Sequence, residues 1–449
     1  MEKLYQSEKQ NRILEICNEV VLRLSDPQYV HSIIFADNNI SVFGDHPWGD
    51  LVLSSGNLSV CLLMAQWDKF FPDSNFDVIA HKYFIEMQEV LKKQGIPNNI
   101  SMFSGLTGMA FVLTYASHSG ERYTKFIMSL NQLIFDMFDV LIKDIQESNE
   151  IGVSPFWYDV ISGLSGVGRY LLLISDQEKA KKRLIKILKY CISLVDTIRV
   201  RGSIVSGWYV APQNLFTDDD RRKFPNGSFN CGLAHGIAGP LSLLSLAVEQ
   251  GIEVEGQKEA ISIMAEWLIS KRKIIKQGII WPSWVSFDEE IQNDIDNVKG
   301  ENEIQYRDAW CYGTAGVCRS IYLASKALDN KSYSEIAKEG FKAIFERDVE
   351  DWNLDGATFC HGYAGLLQMA NRMLIDTQDT LYAELINKVS DEIIKLADET
   401  NPFVFKDFEG ANHIDKAGLL DGSAGIALSL ISTINIDKEF SWDNCFLIS

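Results

Sequence analysis

The chain has 449 residues, 46% of them hydrophobic, and a formal net charge of −19. That is ample apolar material for a buried core, and the charge excludes a nucleic-acid partner, because phosphate binding needs clustered Lys and Arg. Ten prolines leave room for many uninterrupted helices, and no apolar run approaches the roughly 18–20 residues that span a bilayer.

An acidic surface keeps a protein in solution and would also suit a cationic partner. Eight cysteines (Cys17, Cys61, Cys191, Cys231, Cys311, Cys318, Cys360 and Cys445) are scattered along the chain, unlike the framework of a disulfide-stapled secreted domain. The stretch from Met1 to Arg12 is charged and polar, not a signal peptide. A cytoplasmic location is therefore expected, with reduced thiols available to a metal.

One short theme recurs in chain order: a small or polar residue, Gly, two residues, Gly or a small residue, then an apolar helical run. It begins as SSGNLSVCLLMAQ at Gly56, where Ser59 stands in place of the second glycine. FSGLTGMAFVLTYA follows at Gly105 and Gly108, then an amphipathic segment with Phe126, Leu130, Leu133, Met137, Val140 and Leu141 at helical spacing. ISGLSGVGRYLLLI at Gly163 and Gly166 precedes a second such segment, Leu184, Ile187, Leu188, Cys191 and Val195. The basic run from Lys179 to Lys189 behind it reads as a solvated helix face. The remaining copies are LAHGIAGPLSLLSLA at Gly236 and Gly239, CYGTAGVCRSIYLA at Gly313 and Gly316, CHGYAGLLQMANRML at Gly362 and Gly365, and LDGSAGIALSLI at Gly422 and Gly425.

Steps between the first glycines are 49, 58, 73, 77, 49 and 60 residues. A glycine before a helix allows a tight turn and a close approach, and the second glycine is expected to let adjoining helices pack closely. Runs apolar all round predict buried helices, and the amphipathic segments between them predict an outer layer. The expected fold is all-α: an α/α toroid, a double-layered barrel of seven helical hairpins, forming a single domain over residues 1–449. The two longest steps hold extra residues rich in Trp, Tyr, Asp and Gly. They predict loop or β insertions at about 200–232 and 276–305 on the active-site face.

Chemistry concentrates in repeats three to six. Cys360 and His361 are adjacent immediately before a glycine helix, and Cys311 occupies the corresponding position 49 residues upstream. Thiolate and imidazole are good zinc ligands, and three protein ligands with an open fourth position describe a catalytic site. If the repeats superpose around a ring, Cys311 and Cys360 become neighbours. Cys231 and Cys318 read as packing residues. His235 stands directly before Gly236, Asp159 four residues before Gly163, and Arg307 four residues before Cys311. A His, an Asp and an Arg aimed at one cavity would serve as proton donor, base and anion stabiliser. His31, His46, His81, His118 and His413 lack such a context and read as structural or surface residues.

GLAHGIAGP, RDAWCYGTAGV and FCHGYAG resemble the three hallmark motifs of the lanthionine synthetase C-like cyclases, and the resemblance spans all seven repeats. The tyrosine in WCYG is most similar to the stand-alone bacterial lantibiotic cyclases, so a single-function cyclase without a fused dehydratase region is expected. The resemblance implies one zinc ion per chain held by Cys311, Cys360 and His361, with water or a substrate thiolate as fourth ligand. It implies that His235 and Asp159 handle protons while Arg307 and Tyr312 line the site. The implied substrate is a dehydrated precursor peptide, whose cysteine thiolate adds to dehydroalanine or dehydrobutyrine to make lanthionine or methyllanthionine. The family also implies docking with a dehydratase and an ABC exporter in a membrane-associated assembly. Rival readings are another zinc-dependent thiol alkyltransferase and a non-catalytic helical-repeat protein that binds peptide or glutathione. An α/α-toroid glycosidase would need two catalytic carboxylates and no zinc.

Overall fold

The structure, a computed structural model, describes residues 2–292, 306–434 and 441–449, with side chains from residue 8. The chain divides into two compact units. One comprises Met1–Asn99, Phe103–Asn131 and Leu354–Asp443; the other comprises Ile100–Met102, Gln132–Asn353 and Asn444–Ser449.

In the first unit four glycine-led helices are Asn57–Phe70, Leu106–Tyr115, Tyr363–Thr377 and Ser423–Ile434. They are largely apolar and correspondingly buried; of Asn57–Phe70 only Lys69 reaches solvent. Outer helices Phe76–Gln94 and Thr380–Leu396 pack on the first and third of them, and the N-terminal helix Glu2–Arg23 packs on the last. Helix Ser423–Ile434 also lies against Asn57–Phe70. The seventh repeat thus adjoins the first, and helix Glu2–Arg23 serves as its outer partner.

The second unit repeats the plan. Inner helices Leu164–Leu173, Ala238–Glu249 and Thr314–Leu328 each pair with the outer helix that follows, Glu178–Ser193, Gln257–Ser270 or Lys331–Glu346. Every residue from Ala238 to Ala247 is buried, whereas Glu178–Ser193 buries only Ala180, Leu184, Ile187, Leu188 and Cys191. Its basic face is solvated and paired: Lys182 meets Glu178 at 3.4 Å and Lys186 meets Asp139 at 3.1 Å. The all-α class holds.

One predicted face is rotated. In helix Thr124–Glu147 the buried residues are Leu130, Ile134, Phe135, Phe138, Ile142 and Ile145, while Val140 is 61% exposed. Apolar residues cover more than half of this helix, so two neighbouring stripes satisfy the spacing. The stripe holding both Phe135 and Phe138 buries more area and prevails.

The expected insertions are β-rich and join each other. Thr197–Val200 and Ser203–Ser206 form one hairpin, and Lys273–Ile275 and Gly278–Ile280 form another. Ser228–Asn230 then pairs antiparallel with Trp284–Ser286, so the first insertion and the WPSW segment share a two-stranded sheet. The part of the second insertion from residue 293 to 305 lies outside the described residues.

Candidate active site and metal centre

The glycine loops are stitched together by backbone hydrogen bonds in a constant register. In the second unit Val160 N–H donates to Ala234 O at 3.0 Å, and Ala234 N–H donates to Cys311 O at 3.2 Å. In the first unit Cys360 N–H donates to Leu420 O (2.9 Å), Leu420 N–H to Ser54 O (3.0 Å), and Ser54 N–H to Phe103 O (3.1 Å). Each acceptor stands two residues before the first glycine of its repeat. Cys311 and Cys360 hold that same place in successive loops.

The glycines make this register sterically feasible. Most of the first glycines have ordinary extended φ, such as −118° at Gly56 and −99° at Gly163. Gly313, at φ +92°, is the exception among them that needs the left-handed region. The second glycines serve their loops rather than neighbouring helices. A Cβ on Gly166, Gly239, Gly316 or Gly425 would press on the carbonyl six residues upstream: Val160, Leu233, Trp310 or Leu419. At three of them it would also meet a side chain of the preceding loop, namely Met102, Val160 and Leu233. Ser59, the odd residue of the first repeat, follows the same geometry, because its hydroxyl donates to the carbonyl of Leu53, six residues back, at 2.7 Å.

In the second unit the loops bring Asp159, His235 and Tyr312 together. Asp159 Oδ2 lies 2.5 Å from His235 Nδ1. Its other oxygen accepts the backbone N–H groups of Ser162 and Gly163, each at 2.7 Å. The carboxylate is fully buried, so both oxygens are committed. Tyr158 adds a hydrogen bond from its hydroxyl to His235 O at 3.0 Å. His235, with its side chain 26% exposed, therefore presents Nε2 to a reactant. The rings of Phe216 and Tyr312 flank it at 4.9 and 6.4 Å, and Trp284 lies 6.4 Å from both Phe216 and Tyr312. Phe216 and Trp284 come from the two insertions, and the sheet that carries Trp284 runs through Asn230 into the His235 loop. Asn230, buried, donates to the Tyr312 hydroxyl at 3.3 Å and accepts Gly232 N–H at 2.9 Å.

Arg307 and Cys311 share one loop with Tyr312, closed by a bridge between Asp308 and Gly313. Asp308 is fully buried and paired with buried Arg347, whose Nε also donates to Gln277 O at 3.0 Å, so it anchors the loop to the second hairpin. Cys311 is 5% exposed. Cys17, Cys61, Cys191, Cys231 and Cys318 are buried packing residues whose thiols burial pushes up, Cys191 to about 12. Cys318 Sγ sits under Gly340 of the outer helix.

In the first unit Cys360, His361 and Asp421 bring a sulfur, a ring nitrogen and a carboxylate oxygen within 4.8 Å of one another. His361 Nδ1 and Asp421 Oδ1 are 3.7 Å apart. That oxygen is buried and makes no hydrogen bond, an arrangement costly for a carboxylate unless a cation completes it. Soft sulfur, imidazole and carboxylate together are a donor set suited to zinc, so the residues present fit the implied ion. Asp421 escaped the sequence reading although it stands directly before Gly422, as His235, Tyr312 and His361 stand before their glycines. Phe216 and Trp284 carried no such signal, since only the folding of the two insertions places Phe216 against His235 and Trp284 against Phe216 and Tyr312.

Buried glycine-led helices in an inner layer, amphipathic partners outside and reactive residues on the glycine loops define the class of fold. Residues 47–447 match the lanthionine synthetase C-like protein family, and the chain belongs to that family. It is 27% identical over 357 residues to the nisin biosynthesis protein NisC of Lactococcus lactis subsp. lactis, covering 78% of this chain and 80% of that protein. The solved structure of nisin cyclase superposes with a TM-score of 0.74 at 23% identity, covering 89% of this chain and 92% of that one. The shared fold is an α/α toroid.

Proposed function

We propose that the protein closes thioether rings in a dehydrated precursor peptide, adding cysteine thiols to dehydroalanine or dehydrobutyrine in lantibiotic biosynthesis. The observation that carries this reading is the His235–Asp159 pair, a partly exposed imidazole held by a buried carboxylate. Family membership and the relatives' names, nisin cyclase and nisin biosynthesis protein, support the substrate class.

Cys311, Cys360 and His361 would hold zinc, which when bound supplies a thiolate at neutral pH from a thiol whose free pKa is near 8.5. Ring closure forms a C–S bond at the β-carbon and pushes the alkene electron pair toward the carbonyl. The α-carbon then takes a proton, so the thiol adds across the double bond with nothing lost. His235 Nε2 is the donor to that carbon. Asp159 acts through His235 as a positioning residue, because its two oxygens are already engaged by the imidazole and by two backbone N–H groups. Arg307 stabilises the enolate, and Tyr312 lines the reacting face. The dehydratase and exporter of the pathway are the expected partners in the cytoplasm, at the membrane surface; among the described residues no helix is long and apolar enough to cross a membrane.

The test is to incubate the protein with a dehydrated precursor and count free thiols by alkylation and mass spectrometry. Loss of one alkylation site per ring is expected. Cys311→Ala, Cys360→Ala and His361→Ala should each lose bound zinc together with ring closure. Full turnover by a zinc-free variant defeats the metal assignment, and a wild-type protein that leaves all thiols free defeats the reading.

A further inference from the structure

Asp421 has a setting that the proposed three-residue zinc site does not use. Its repeat position is that of His361, one residue before the first glycine, and the stitching places its loop beside that of Cys360, through Cys360 N–H to Leu420 O. Its Oδ1 is buried without a hydrogen-bond partner, 3.7 Å from His361 Nδ1. The charge of Lys416 acts on Asp421, but its ammonium is bonded to Asp407 at 2.7 Å and Glu409 at 2.6 Å. The buried carboxylate oxygen, beside a sulfur and an imidazole, thus still lacks a direct partner. The three donor atoms lie within 4.8 Å of one another, and small side-chain shifts would bring them to the about 3.3–3.8 Å that separates tetrahedral zinc ligands with bonds of about 2.0–2.3 Å.

We propose that Asp421 is a protein ligand of the metal centre, its carboxylate filling the coordination position otherwise assigned to water until a substrate thiol takes it. The inference rests on the reading that Cys360 and His361 hold the metal. It makes the resting centre closed by protein, with a carboxylate as the exchangeable member because carboxylate is the hardest and most weakly held of these donors for zinc. The side chain, 34% exposed, is placed to leave without unfolding the loop.

Zinc affinity by chelator competition and the visible absorption of the Co(II)-loaded protein test this, on wild type, Asp421→Asn, Asp421→Ala and Glu409→Gln. Both Asp421 variants should bind zinc roughly ten- to hundredfold more weakly, with a changed Co(II) spectrum. Glu409→Gln disturbs the same acidic cluster through Lys416 and should hold metal like wild type. A small thiol added to the Co(II) protein should bind more tightly once Asp421 is gone, since it no longer displaces a carboxylate. Asp421 variants that match wild type in affinity, spectrum and thiol binding overturn the inference and leave the zinc reading standing. If wild type itself binds no zinc, the underlying reading falls. Asp421→Asn guards against misfolding, being isosteric and checked by circular dichroism.

Discussion

Asp159 settles which nitrogen of His235 faces outward. With Nδ1 against the carboxylate at 2.5 Å, the ring cannot turn to present it, and Nε2 is the atom proposed to donate the proton. Asp159→Asn keeps an oxygen for the Ser162 and Gly163 N–H groups but removes the anion that holds the ring. Ring-closure rate should fall by about two orders of magnitude or more, with zinc content and melting temperature near wild type. An unimpaired rate would remove Asp159 from the machinery. His235→Ala should likewise keep its zinc and lose ring closure or its stereocontrol, read by chiral analysis of the hydrolysed product. At this scale the sequence singles out His235, Asp159, Cys360 and His361 because each stands one to four residues before a repeat's first glycine. It left open whether Asp159 carries protons or positions the imidazole, and only the saturation of both its oxygens favours positioning.

The repeating element is a loop whose carbonyls are packed against a glycine one helical turn into the following helix. Gly316 shows the consequence: an added Cβ would meet Trp310 O and, at 3.2 Å, the Leu233 side chain of the preceding loop. Gly316→Ala should cost about 1–3 kcal/mol in denaturant unfolding and should also weaken ring closure, because the displaced loop carries Arg307, Cys311 and Tyr312. A variant as stable as wild type would mean that the loop yields freely. The motif was legible as spacing, but its role was not. Glycine pairs before helices are read as helix-packing devices, whereas here the near neighbour is the loop's own backbone. Helix Thr124–Glu147 shows the converse limit, where too many apolar residues let the period fit more than one face.

Across the molecule, the closing residues do work that no motif announces. Within the second unit Arg169 and Arg319 are buried, 3% and 1% exposed. They donate to the backbone oxygens of Ser449 and Ile448 at 2.8–3.0 Å. Trp310, next to Cys311, donates to Phe446 O at 3.1 Å. Phe446, Leu447 and Ile448 are themselves fully buried. Deleting residues 446–449 should destabilise the protein by upward of about 4 kcal/mol, from lost apolar burial and from hydrogen bonds to charged donors. Thermal unfolding reads this directly, and an unchanged midpoint would show the tail to be dispensable.

The periodic residues determined the helices, their inner and outer layers and the loops that bear chemistry, because spacing and hydrophobicity are local properties that survive in one dimension. Contacts between segments far apart in sequence were decided by tertiary structure: the pairing of the two insertions into one sheet, the aromatic rings beside His235, the oxygen of Asp421 left facing Cys360 and His361, and the tail under two arginines. These depend on which surfaces meet once the helices have packed, and no pattern along the chain encodes that directly.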